Sequence, residues 1–88
     1  MRHYRFNRWL HHIKGDFTLV QFARALQSSP KSVSGWLYEY KVPRAPQLTH
    51  LCQRISEIQD RPAEIIWLEM YYVLVTEKQH VQMARQDT

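Results

Sequence analysis

Residues 18 to 44, TLVQFARALQSSPKSVSGWLYEYKVPR, restrict what the chain can fold into more than any other stretch. Two helix starts fall close together in it. Thr18 with Gln21 three places on forms a capping box, and Phe17 before the cap with Phe22 inside the helix forms a hydrophobic staple. Ser29 is a second good cap, and Pro30 follows it at a first helical position, where no backbone N–H partner is needed. The pattern predicts two short helices joined by a tight turn. Phe22, Ala23 and Leu26 face inward from the first helix, and Val33, Trp36 and Leu37 from the second. Lys31, Ser32, Ser34, Gly35 and Tyr38 are left on the surface of the second.

Elsewhere apolar residues recur at intervals of three and four rather than two, so the whole chain is expected to be all-α. Phe6, Trp9, Leu10 and Ile13 share one face of an opening helix that stops at Lys14-Gly15-Asp16. Arg2, Arg5 and Arg8 lie mostly off that face, available to solvent or phosphate. After Pro43 a fourth helix is expected near Pro46, with Leu48, Leu51, Cys52, Ile55 and Ile58 as its core stripe. Asp60 is then expected to cap a fifth, starting around Arg61-Pro62. Between Ile65 and Val75 of this last helix only Glu69 is charged. A helix that is apolar all round is buried on more than one side. Because 88 residues rarely offer that much interior, a second chain is expected over its outer face. Ile65, Leu68, Tyr72 and Val75 have the 3-4-3 spacing of a helix–helix seam. The alternative is a helix wholly internal to a compact bundle.

At this length the chain makes one domain, 1–88, large enough for a core without metals or disulfides. Cys52 is the only cysteine, so no intrachain disulfide forms and a reducing, cytoplasmic setting is expected. No signal-peptide pattern opens the chain, and no apolar run reaches the ~18 residues of a bilayer span. The net charge of +4 is unevenly spread: residues 1 to 59 carry nine Lys/Arg against three acids, and residues 60 to 88 carry three against five. A basic body on a mildly acidic tail suits a phosphate-facing surface with a separate task behind it.

Several chemistries are set aside. His11 and His12 are adjacent and point apart on a helix, while His3, His50 and His80 have no Cys/His partner at ligand spacing, so no metal is expected. Cys52 sits on an apolar stripe and reads as a buried, inert thiol. Trp9, Trp36 and Trp67 sit at core spacing and read as packing residues rather than stacking platforms. Without a Gly-rich phosphate loop, a paired-carboxylate site or a nucleophile elbow, neither an enzyme nor a cofactor is expected.

At Ala23, Leu26, Ser29-Pro30, Val33, Trp36, Pro43, Leu48 and Leu51 the chain resembles the lambda-repressor-like, Cro/CI-type helix-turn-helix family. The resemblance runs without gaps from Thr18 to about Ile58. It implies a compact five-helix domain with a central helix-turn-helix at about 18–38, to which the apolar pattern adds a long C-terminal helix at about 61–80 expected to serve dimerisation. Ala23 is small where a larger side chain would push the two motif helices apart. The sequence departs from the family at the turn, where Gln27 and Ser28 replace the usual glycine and apolar residue. It departs again at Leu19, where a phosphate-touching Gln is common, and near Glu39-Tyr40, where a loop glycine is usual. A non-glycine residue at a left-handed turn position costs about 1 kcal/mol.

The resemblance further implies a transcriptional regulator, a homodimeric repressor of phage, plasmid or toxin–antitoxin type, binding double-stranded DNA at an inverted repeat. Pro30, Lys31, Ser34 and Gly35 would then face the bases, Lys31 being best suited to guanine O6 and N7. Ser29, Ser32, Tyr38, Tyr40, Lys41 and Arg44 would meet phosphates. Ile65, Leu68, Tyr72 and Val75 would form the dimer interface. So small a base-reading set points to help from DNA shape. A rival reading keeps the same fold as a protein-interaction module or antirepressor, engaging a regulatory protein partner through the C-terminal helix. RNA binding is disfavoured because the aromatics look committed to the core. No membrane role is expected.

Overall fold

The computed structural model describes the backbone of residues 4–86 and the side chains of residues 4–76; the Arg2, His3 and His80 side chains lie outside it. Among the described residues the chain is all-helical: α1 (Tyr4–Lys14), α2 (Leu19–Ala25), α3 (Pro30–Tyr38), α4 (Ala45–Gln59) and α5 (Ala63–Gln86). α3 packs against α1 and α2, and α5 packs against α1 and α4.

The expected stop of α1 at Lys14-Gly15-Asp16 and the expected caps of α2 and α3 at Thr18 and Ser29 are all present. α1 ends at Gly15, whose φ of 51° carries no Cβ penalty in glycine. At the head of α2 the Gln21 N–H donates to Thr18 Oγ1 at 3.1 Å, and the Thr18 N–H donates to Gln21 Oε1 at 3.0 Å. The Phe17 and Phe22 rings stack across this cap with centroids 6.1 Å apart. Ser29 Oγ accepts from the Ser32 N–H at 3.1 Å and so caps α3, with Pro30 in its first turn. Between the two helices Gln27 adopts φ 52°. There the Ser28 N–H reaches back to Ala23 O and the Gln27 N–H to Arg24 O, each at 3.0 Å. This reversal satisfies carbonyls that the end of a helix leaves without partners.

The core takes Phe6, Leu10 and Ile13 from α1, Phe22, Ala23 and Leu26 from α2 and its turn, and Val33, Trp36 and Leu37 from α3. Leu51, Cys52 and Ile55 of α4 and Ile66 and Met70 of α5 complete it. Two sets of polar bonds then tie α2 and α3 to the helices behind them. The amide of Asn7 on α1 donates to Trp36 O at 3.1 Å and to Leu37 O, and His11 Nε2 donates to Leu37 O at 2.9 Å. On the other side His50 Nε2 of α4 donates to Leu26 O at 2.9 Å, and Arg54 Nε to Ala25 O at 3.1 Å. A carbonyl oxygen only accepts, so each histidine carries its proton on Nε2. The last turns of α2 and α3 are thereby capped from outside.

Two expectations, and the alternative of a wholly internal α5, need correction. Asp60 does not cap α5: it adopts φ 51° and closes α4, with the Arg61 N–H bonded to Ser56 O at 3.1 Å. α5 is not wholly internal either. Ile66 and Met70 are buried, and Val73 and Leu74 pack on the core, whereas Ile65, Leu68, Tyr71 and Tyr72 stand exposed. Trp67 belongs to that exposed set, at 44 %, rather than to the core. α5 is long, but its apolar stretch stops at Val75, and none of the described helices is long and apolar enough to cross a membrane. Glu69, the one charge in that stretch, accepts from the Trp9 indole N–H at 3.2 Å and pairs with Arg61. It ties α5 to α1, while Ile66 and Met70 turn the other face of the helix into the core.

Candidate functional site

α3 presents its outer face because Val33, Trp36 and Leu37 hold the opposite face in the core. Lys31, Ser34 and Tyr38 follow one another along that outer face at intervals of three and four, the helical neighbour spacing. Pro30 and Lys31 are exposed, and Ser34 is half-buried. Ser29 and Ser32 are engaged with each other. The Ser29 hydroxyl donates to Ser32 Oγ at 2.9 Å while also capping the helix. Tyr38 is exposed and meets the His11 ring edge-on at 5.7 Å.

The segment after α3 closes over the helix. Tyr40 takes φ 59°, the second non-glycine residue in a left-handed turn, and its ring lies against Tyr4 of α1 at 4.8 Å. The Glu39 and Lys41 N–H groups both bond to Gly35 O, at 3.0 and 3.2 Å. The two side chains on either side of Tyr40 fold over Gly35 and pair, Lys41 Nζ to Glu39 Oε2, at 2.9 Å. Gly35 is consequently buried, which corrects its expected place on the exposed face. A Cβ there would lie 3.4 Å from Lys41 Cδ and 3.5 Å from Glu39 Oε2.

Beside this pair lies a concavity of about 280 Å³, walled by Lys31 and Ser32 of α3, Lys41 and Arg44 of the following loop, and Gln47 of α4. Five of the expected contact residues, counting the covered Gly35, are therefore brought to one place, and three of them are cations. The other expected contacts sit apart: Pro30, Ser34 and Tyr38 elsewhere on α3, Ser29 at its cap, and Tyr40 turned towards α1. Arg5 and Arg8 are exposed on α1. Two residues of the neighbourhood were not anticipated. Gln47 Oε1 accepts from the Arg44 N–H at 3.1 Å, as Gln21 does from Thr18, but Arg44 returns no side-chain cap bond. Glu39 is the other: its pairing with Lys41 depends on the left-handed turn at Tyr40, which the sequence does not mark.

Between α4 and the start of α5, Cys52 Sγ donates to Ala63 O at 3.2 Å. Burial, and secondarily the carboxylate of Glu64, push its pKa up, which keeps the thiol protonated. The four residues expected at a helix–helix seam lie on the bare side of α5: Ile65, Leu68 and Tyr72 are exposed and Val75 is half-buried. Trp67 and Tyr71 extend that apolar surface.

Comparison with protein-family models, curated proteins and solved structures finds no match for this chain.

Proposed function

We propose that this chain is a sequence-specific, duplex DNA-binding regulator of lambda-repressor-like fold, acting as a homodimeric repressor. In this reading α3 enters the major groove and α5 joins the subunits. The observation that carries it is the convergence of Lys31, Lys41 and Arg44 with Ser32 around one concavity at the exposed face of α3. Cations grouped beside an exposed helix are what a phosphate backbone needs, and phosphate contacts supply most of the affinity and fix the register. Lys31, in the first turn of α3, is the residue best able to donate to guanine O6 and N7. Ser34 and Pro30 add little direct readout and Gly35 is covered, so DNA shape carries part of the selectivity.

The test is selection of bound duplexes from a random-sequence library at near-physiological salt, read by sequencing. Enrichment of an inverted repeat with half-sites about one helical turn apart is the expected result, since two-fold protein symmetry is mirrored in the operator. Binding that vanishes at modest salt with no sequence enriched would reduce the interaction to phosphate contact alone. The protein-interaction reading would then lead. It draws on the exposed apolar face of α5, a surface that suits a protein partner as well as a second copy.

A further inference from the structure

The acid paired with one cation of this surface, Glu39, has no role in DNA binding as proposed. Glu39 ends α3, and the left-handed Tyr40 turns the chain so that residues 39 and 41 project the same way, over Gly35. The pair lies directly over Gly35: Lys41 Cδ and Glu39 Oε2 stand 3.4 and 3.5 Å from where its Cβ would be, ordinary van der Waals contact. Lys41 lines the concavity together with Lys31 and Arg44, and its ammonium is already engaged at 2.9 Å by the Glu39 carboxylate. A carboxylate oxygen and a phosphodiester oxygen make the same kind of charge-assisted contact with an ammonium.

Resting on the DNA-binding reading, we propose that Glu39 is a built-in competitor for the phosphate, holding the Lys41 ammonium in the free protein so that duplex DNA must displace it to bind. Glu39 touches no DNA in this scheme; it acts through Lys41. Its effect is to lower affinity for every duplex alike and to remove about one phosphate contact from the salt dependence. Because both side chains are largely exposed, the restraint is modest, a tuning of affinity rather than a lock.

The experiment is a double-mutant cycle with E39Q and K41Q, binding a fluorescein-labelled duplex of mixed sequence between about 50 and 200 mM salt. Glutamine keeps the size of Glu39 and removes its charge. E39Q should tighten binding about two- to fivefold at the low-salt end, the range expected of an exposed ion pair. It should also steepen the slope of log K against log salt by up to about 0.9, one phosphate's worth. In the K41Q background the same substitution should give little gain, since the group that Glu39 occupies is gone. Equal tightening with and without Lys41 would show a diffuse charge effect and overturn the competition. Duplex binding by the parent protein with no gain from E39Q would also overturn it, leaving the DNA reading intact. If none of the four proteins binds duplex at all, the DNA reading itself fails and the competition falls with it. Thermal unfolding of each variant separates these outcomes from loss of fold.

Discussion

At the scale of single residues, the chain places non-glycine residues in left-handed conformations at Gln27, Tyr40 and Asp60, with φ of 52°, 59° and 51°. Each closes a helix, and each stands where the chain must reverse at once to keep the next element in contact with the core. The strain is offset by back-bonding: the residue after Gln27 reaches Ala23 O, and the residue after Asp60 reaches Ser56 O. Gln27 is the simplest to relieve, because its side chain is exposed and removing it opens no cavity. Gln27→Gly removes a left-handed penalty of about 1–2 kcal/mol. It adds back about 0.5–1 kcal/mol of unfolded-state entropy. The net expectation is a gain of about 0.5–1 kcal/mol, or a few degrees in the midpoint of thermal unfolding for a chain of this size. A lower midpoint would mean that the Gln27 side chain stabilises the turn in a way its exposure does not suggest.

At the scale of elements, α2 and α3 are short and depend on their neighbours to finish them. α1 satisfies the last carbonyls of α3 through Asn7 and His11, and α4 satisfies those at the end of α2 through His50 and Arg54. Asn7 is the more critical, being buried and serving two carbonyls. Asn7→Ala leaves these buried acceptors without that donor and should lower stability by about 1–3 kcal/mol, read as a fall in the urea midpoint at unchanged slope. His12→Ala, one turn along on the exposed side, should stay within about 0.5 kcal/mol of the parent. Equal effects of the two changes would remove the capping role. These bonds also mark how far the sequence could be read. Helix starts at Thr18 and Ser29 were legible because a cap and its partner lie three residues apart. Asn7 and His11 were not, because their acceptors lie 26 to 30 residues away and only the packed fold brings them near. Asp60 misled for the opposite reason: Asp-Arg-Pro looks like a cap followed by a first-turn proline, and the bond from Arg61 to Ser56 that makes it an ending is invisible locally. The concavity shows the same limit. Lys31, Lys41 and Arg44 could be picked out by charge, but the burial of Gly35 beneath Glu39 and Lys41 depends on the turn at Tyr40.

At the scale of the whole molecule, α5 has an inner apolar face that completes the core and an outer apolar face that stands exposed among the described residues. Ile65, Trp67, Leu68, Tyr71 and Tyr72 are each between 43 % and 64 % exposed on a single helix, a contiguous surface of the kind that marks an interaction site. Two copies packing α5 on α5 would bury this surface in both at once, as an isologous two-fold contact does. Leu68 and Tyr72 are adjacent turns of that face, so a charge at either should be intolerable in the dimer and harmless to the isolated fold. Leu68→Glu is expected to shift the mass measured by light scattering from dimer to monomer while leaving the helical circular dichroism unchanged. Val20→Glu tests whether any new charge at an exposed apolar position does the same, since Val20 is 56 % exposed on α2, far from α5 in the chain. It should leave the dimer intact. Loss of the dimer should also weaken DNA binding far more than α3 itself is weakened. A joined pair binds its second half-site at the high effective concentration set by the linkage, and a monomer has no such advantage. If Leu68→Glu remains dimeric, α5 is not the seam. If the parent protein is itself a monomer across the concentration range, the apolar face belongs to a different partner, and a repressor that reads an inverted repeat as a preformed pair is ruled out.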